Sequence, residues 1–218
     1  MGRSAFHTEL HELQNAILKM GAMVEGAIAK AIEALTKQDV QVAQAVVDGD
    51  DAIDEVQLDV EAKALRLLAL QQPLARDLRF IGTALKIVTD LERIGDHAVD
   101  IARIALRLAK EDYIKPLIDI PRMADLARGM LRDSLTAYVH QDVELAQGLA
   151  EADHTVDSLY QQVFRELLVF MMEDPKTIRQ ATQLLFVAQH LERVADHATN
   201  LGEGLIYMAT GERKDLNV

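Results

Sequence analysis

The sequence predicts an all-α protein, in which two homologous three-helix bundles follow each other and contain six long antiparallel helices in total. The composition suits helices, because half of the 218 residues are hydrophobic while only 4% are aromatic, and there are only 4 Pro. Apolar residues recur at three- and four-residue intervals along most of the chain. The segment DLERIGDHAVD (90–100) returns as HLERVADHATN (190–200), which indicates an internal duplication.

The apolar periodicity and the turn signals place each helix. Pro73 and Pro175 start the third and sixth helices in this prediction, because proline suits a first helical turn. Gly211 is the expected C-cap of the last helix. The proline-containing segment 111–121 separates the halves, which we assign to residues 1–115 and 116–218. The predicted helices are 4–37, 40–71, 73–110, 122–140, 142–173 and 175–210.

Charge and composition exclude several classes of function. A net charge of −12 opposes binding to nucleic acid or anionic lipid, and no basic stripe with interleaved aromatic residues is present. The absence of Cys excludes thiol catalysis and thiolate metal sites. No secretory signal or apolar run near membrane-spanning length is found, so we expect a cytoplasmic protein that does not insert directly into the membrane.

Carboxylates interrupt the apolar stripe of the third and sixth helices at equivalent places. On a helical wheel of about 100° per residue, Glu92 and Asp96 fall in the stripe and Asp100 lies at its rim. The second copy has Glu192 and Asp196 in the stripe, with Asn200 at the rim. Carboxylates among apolar side chains are costly when they are ionised and unpaired, so each pair requires a compensating partner or solvent.

The preceding helix of each half carries a second acidic pair at the same height. Asp54 precedes Gln72 by 18 residues, and Glu92 follows Pro73 by 19 residues. In an antiparallel hairpin, both therefore lie at a similar distance from the turn, roughly 28 Å.

Counting residues from the same turn also places Asp50 at the height of Asp96. In the second half, the same count places Asp153 at the height of Asp196 and Asp157 at the height of Glu192. Oxygen-rich clusters without Cys suit hard cations, so the pattern favours two metal sites over solvated or ion-paired carboxylates.

The neighbouring histidines and arginines are not predicted as ligands. His97 and His197 lie about 140° around the helix from Glu92 and Glu192, so we expect them to contact another helix or solvent. Arg93 also points away from the acidic stripe, where an ordinary ion-pair role is expected. His7 and His11 are assigned solvated or capping roles.

The duplicated E-R-x-x-D-H motif, the acidic pairs and the segment QPLARDLRFIGTALKIVTDLERIGDHA (72–98) together resemble the PhoU family of bacterial phosphate-uptake regulators. The resemblance covers nearly the whole chain. It implies two homologous three-helix bundles, commonly in a homodimer, and a non-enzymatic regulator. Such a regulator acts with the phosphate ABC transporter and a membrane sensor histidine kinase to repress the phosphate-starvation response and limit phosphate uptake.

The resemblance also implies multinuclear metal clusters, with iron the first expectation and zinc, manganese or magnesium as alternatives. Asn200 stands where the first half has an acid, and a neutral amide is a weaker ligand for a hard cation. The positions that match the family's metal motifs are Asp50, Asp54, Glu92, Asp96, Asp100, Asp153, Asp157, Glu192, Asp196 and Asn200.

Two other functions stay open at this level. The first is a ferritin-like di-metal oxidase or metal-storage protein, which would need two Glu-x-x-His motifs in the bundle. Only Glu151 and His154 have that spacing. The second is metal-dependent phosphoester hydrolysis, for which the sequence offers no distinct nucleophile.

Overall fold

A computed structural model describes residues 3–216 and confirms the predicted fold class. The described residues form α-helices joined by short turns, and no strand occurs among them. Helices α1 to α4 build the first bundle, in which α2 and α3 together form one arm, and α5 to α7 build the second. The helices are α1 (Arg3–Lys37), α2 (Val40–Asp48), α3 (Asp50–Gln71), α4 (Ala75–Leu108), α5 (Asp119–His140), α6 (Val143–Glu173) and α7 (Ile178–Thr210).

The predicted continuous helix 40–71 is wrong at one position, because Gly49 separates α2 from α3. Glycine is a poor helix residue, and Asp-Gly is a dipeptide typical of turns. The amide of Gly49 donates to the carbonyl of Val46 at 3.2 Å, which tightens the chain at this point. Asp50 consequently lies in the first turn of α3. The equivalent arm of the second bundle, α6, is unbroken.

The third helix begins two residues later than predicted. Gln72 ends α3 in the left-handed conformation with φ 44°, and Leu74 is extended, so Pro73 lies in the turn rather than in the helix. In the second half the prediction is confirmed, because the side chain of Asp174 caps a 3-10 turn that starts at Pro175 and leads into α7. Gly211 is also confirmed as the C-cap, with φ 82°.

The connection between the halves is shorter than predicted. Helix α4 ends at Leu108 and α5 begins at Asp119, three residues before the predicted start. Pro121 is therefore inside the first turn of α5, where a missing backbone N–H costs nothing. Tyr113 ties this segment to α1 by donating to the carbonyl of Leu35 at 2.5 Å.

Helices α4 and α7 pack along each other in opposite directions and join the two bundles. Their contacts progress from Arg107 with Gln183, through His97 with His190, to Thr83 with the carbonyl of Gly204. One contiguous hydrophobic core runs through both halves. The duplicated segments 90–100 and 190–200 therefore face each other at the centre of the molecule. Within residues 3–216, no helix combines the length and the apolarity needed to cross a bilayer.

Leu191→Ala should lower the free energy of unfolding by about 2–5 kcal/mol, because Leu191 is fully buried in α7 and its truncation leaves a cavity. Urea denaturation followed by circular dichroism measures the change. Leu65→Ala is the matched control, because Leu65 is 59% exposed on α3, and should change the free energy by less than about 0.5 kcal/mol. Equal losses in both variants would contradict a core continuous through α7.

Candidate metal centres

The first acidic cluster lies between α3 and α4. Its members are Asp50, Asp54, Glu92 and Asp96. Burial and the negative charges of Asp54 and Asp96 raise the pKa of Asp50 above its ordinary value. The pKa of Glu92 is also raised, by burial and by the negative charges of Asp96, Asp54 and Asp50. The four carboxylates therefore influence one another across the interface of α3 and α4, although no three of them bring ligand oxygens within 4.8 Å of one another.

Arg93 partly compensates this cluster. Its guanidinium lies 3.6 Å from Glu92 and 3.4 Å from Asp96, and it lowers the pKa of Glu92 against the effects that raise it. The arginine is largely exposed, so its ion pairs are weak. The first cluster thus retains more negative charge than its protein partners neutralise.

The second acidic cluster lies between α6 and α7 and is the more perturbed of the two. Its members are Asp153, Asp157, Glu192 and Asp196. Burial, followed by the charges of Asp157 and Asp196, raises the pKa of Asp153 to about 6. Burial and the charges of Asp196, Asp157 and Asp153 raise the pKa of Glu192 to about 7. Ionising all four groups together is therefore unfavourable near neutral pH.

The donor chemistry of both clusters fits hard cations. Each cluster offers carboxylate oxygens from two facing helices, which is the ligand type that hard divalent cations prefer. Oδ1 of Asp153 is buried and has no hydrogen-bond partner, so it lacks the donor or cation that a buried carboxylate oxygen normally has. Eight of the ten predicted ligands belong to these two clusters, four to each, and would hold metal ions there.

Asp100 and Asn200 occupy a different place from the eight carboxylates. Asp100 lies beside His97 and His190, and its charge raises the pKa of both imidazoles against the stronger effect of burial. The amide nitrogen of Asn200 lies 3.4 Å from Oδ1 of Asp90. Both residues therefore face the junction of α4 and α7.

We call this junction the central cluster. Its members are Asp90, His97, Asp100, His190, His197 and Asn200. Nδ1 of His190 lies 3.2 Å from Nδ1 of His97, and Nδ1 of His197 lies 2.9 Å from Oδ1 of Asp90. The prediction that His97 and His197 contact a neighbouring helix is thereby confirmed.

Sequence reasoning missed the partners of these histidines. Asp90 and His190 occupy the same position in the two repeats, and both come directly before the Leu-Glu-Arg of the duplicated motif. Their pairing depends on the antiparallel packing of α4 against α7, which the periodicity within each helix does not specify. The duplication itself was the available signal, because a twofold arrangement of the repeats brings each of these residues against the other copy.

Known proteins share this architecture. A profile of the PhoU domain matches residues 17–105 and again residues 120–205. The chain belongs to the PhoU family. Similar proteins include a phosphate-specific transport system accessory protein PhoU homolog from Clostridium acetobutylicum, 46% identical with all of both chains covered. A protein with the same description from Aquifex aeolicus is 47% identical, over 94% of this chain and 92% of the Aquifex chain.

Solved structures agree with this assignment. PhoU from Pseudomonas aeruginosa superposes with a TM-score of 0.91 at 36% identity, covering 95% of this chain and all of that one. The phosphate transport system regulatory protein PhoU from Streptococcus pneumoniae gives 0.89 at 35% identity, over 96% and 99% of the two chains. The PhoU family is an accessory and regulatory family and not an enzyme family. The ferritin-like alternative is not favoured, and Glu151 and His154 are both exposed.

Metal-free PhoU protein should lose stability as the pH rises from about 4.5 to about 7. The pKa of Glu192 is raised in the folded state, so folding favours the protonated group, and this contribution disappears as the group ionises. Glu192→Gln should therefore raise the free energy of unfolding at pH 8. The expected increase is about 1 kcal/mol, because solvent screens the charge of a partly exposed group. At pH 4 the substitution should change the free energy little. Urea denaturation in chelator at both pH values measures the difference.

Glu151→Gln is the control for this prediction, because Glu151 is an exposed carboxylate on the same arm of the second bundle. It should leave the pH dependence unchanged. Parallel pH profiles for the wild type and Glu192→Gln would contradict the repulsion within the second acidic cluster.

Proposed function

We propose that this protein is a negative regulator of phosphate uptake and of the phosphate-starvation response. It acts as a homodimeric, metal-binding adaptor at the cytoplasmic side of the membrane, in contact with the phosphate ABC transporter and a sensor histidine kinase. The observation that carries the proposal is full-length similarity to proteins described as accessory to the phosphate-specific transport system. The general role in phosphate transport follows from the family, and the partners and the direction of regulation are the proposed part.

The two acidic clusters supply the metal-binding part of this function. Each holds a multinuclear cluster, with iron the preferred ion and zinc, manganese or magnesium as alternatives. Repulsion among the carboxylates and the unpartnered oxygen of Asp153 support this assignment, because bound cations would relieve both. Cations there would also reduce the charge of a chain whose net charge is −12, and so change the surface that a partner meets.

Metal binding also fits the position of the clusters in the fold. The first cluster links α3 to α4, and the second links α6 to α7, so each is confined to one bundle. Cations that bridge the two helices would stabilise the hairpin that carries them, since a ligand that binds only the folded state stabilises that state. The regulator thereby couples metal occupancy to the rigidity of its two arms.

Expression of this chain should restore repression in a bacterial strain that lacks its own PhoU protein. In high phosphate, phosphate uptake and a reporter of the phosphate-starvation response should both fall towards wild-type levels. Leu191→Ala is a destabilised comparison and should restore less. A stably expressed chain that leaves uptake and the reporter unchanged would contradict the proposed regulatory role.

The double variant Glu92→Gln/Asp96→Asn should remove most of the metal bound by the first cluster while the second keeps its share. The change removes two anionic ligands and keeps the size of both side chains, so the bundle should stay folded. Elemental analysis of protein purified without chelator or affinity tag measures the loss.

Glu55→Gln/Asp59→Asn is the matched control. It makes the same chemical change at the same spacing on the exposed side of α3, where Asp59 pairs with Lys63 at 2.7 Å. It should leave the metal content unchanged. Equal metal content in the wild type and Glu92→Gln/Asp96→Asn would remove the first cluster as a metal site.

A further inference from the structure

The central cluster contains a set of side chains that neither acidic cluster has. Ligand atoms of His97, Asp100 and His190 all lie within 4.8 Å of one another, and no other trio of metal-binding side chains among residues 3–216 meets this condition. His97 and Asp100 come from one turn of α4, and His190 comes from α7. The set therefore joins the two halves of the chain, whereas each acidic cluster lies within one half.

We propose that His97, Asp100 and His190 form a mononuclear site for a divalent transition-metal ion such as zinc, separate from the acidic clusters. Two histidines and one carboxylate with an open fourth position are a ligand set that suits zinc, whereas clusters of carboxylates suit harder ions. The site cross-links α4 to α7.

The distance between the two histidines supports this assignment. Nitrogens bound to a tetrahedral zinc ion at about 2.0–2.1 Å lie about 3.3–3.4 Å apart. The Nδ1 atoms of His97 and His190 lie 3.2 Å apart, so the pair is nearly in place for a shared ion. A carboxylate oxygen of Asp100 lies within 4.8 Å of a ring nitrogen of each histidine and completes the set.

The three side chains supply the donor atoms that a divalent transition-metal ion binds, two imidazole nitrogens and one carboxylate oxygen. Arg103 donates to Oδ1 of Asp100 at 3.1 Å, and a carboxylate has enough lone-pair positions to accept this bond and also bind an ion.

An ion also has a route to the site. An open cleft of about 360 Å³ lies against Asp100 and His190, and another of about 500 Å³ lies against His97 and Asp100. Arg107 and Arg193 line the first of these clefts. The three side chains therefore border solvent-filled clefts, through which an ion can reach them.

The other side of the junction shows why no second site of this kind is found among residues 3–216. The duplication puts Asp90 in the place of His190, and Asn200 in the place of Asp100. Oδ1 of Asp90 already accepts from both His197 and Asn200, at 2.9 and 3.4 Å. This side of the junction has a single histidine, His197, whereas the other side has two. Its carboxylate, Asp90, already accepts hydrogen bonds from protein donors.

Cobalt(II) tests the proposal, because a tetrahedral site with nitrogen ligands gives intense visible absorption bands, whereas octahedral sites made of oxygen ligands absorb weakly. Titration of chelator-treated, full-length protein with cobalt(II) should produce the intense bands, and zinc should abolish them. His97→Gln, His190→Gln and Asp100→Asn should each weaken binding at this site by at least about tenfold. Asp100→Asn is the mildest change, because Asn occupies the equivalent position in the second repeat.

His140→Gln is the control, since His140 is exposed at the end of α5, and it should leave the bands unchanged. The bands should also persist in a variant with both acidic clusters neutralised, Glu92→Gln/Asp96→Asn/Glu192→Gln/Asp196→Asn, which separates this site from the proposed metal clusters. Absence of intense bands in the wild type, or full retention of them in Asp100→Asn and His190→Gln, would overturn the proposal and leave a hydrogen-bonded pair of histidines.

Discussion

Each of the two bundles holds carboxylates between packed helices and must accommodate the repulsion among them. This constraint underlies the rest of the structure. Each acidic cluster places four carboxylates where the helix pattern otherwise demands apolar side chains. The cost is visible at Glu192, whose pKa is raised to about 7 by burial first and by its acidic neighbours second. This arrangement is present in both repeats and lowers the stability of the metal-free fold. The donor chemistry favours bound cations as the compensating charge.

The packing of α4 against α7 turns two similar bundles into one molecule with distinct sites. Because the helices are antiparallel and carry the duplicated motif, His97 and Asp90 of the first repeat meet His190 and His197 of the second. Small sequence differences between the repeats then have chemical consequences. His190 meets a histidine, whereas Asp90 meets His197 and Asn200, so one side of the junction resembles a metal site and the other is a hydrogen-bonded network.

Much of the fold and of the acidic clusters could be predicted from the sequence, because both depend on periodicity within helices and on the length of hairpin arms. The level placement of Asp54 and Glu92 required only the rise per residue and the position of the turn at Pro73. The break at Gly49 was missed although Asp48-Gly49 is a turn signal, since the apolar pattern continues on both sides of it. The central cluster was missed because it depends on how α4 packs against α7, and Asp100 was consequently grouped with the acidic residues rather than with His97 and His190.

Anomalous X-ray diffraction from crystals of protein purified without chelator, recorded on both sides of the iron and zinc absorption edges, tests the central claim most directly. If the acidic clusters bind metal, anomalous density will lie between α3 and α4 beside Asp54 and Glu92, and between α6 and α7 beside Asp157 and Glu192. Metal-replete crystals with no anomalous density at either place, and with the carboxylates paired instead with arginine, lysine or water, would contradict metal binding by these clusters.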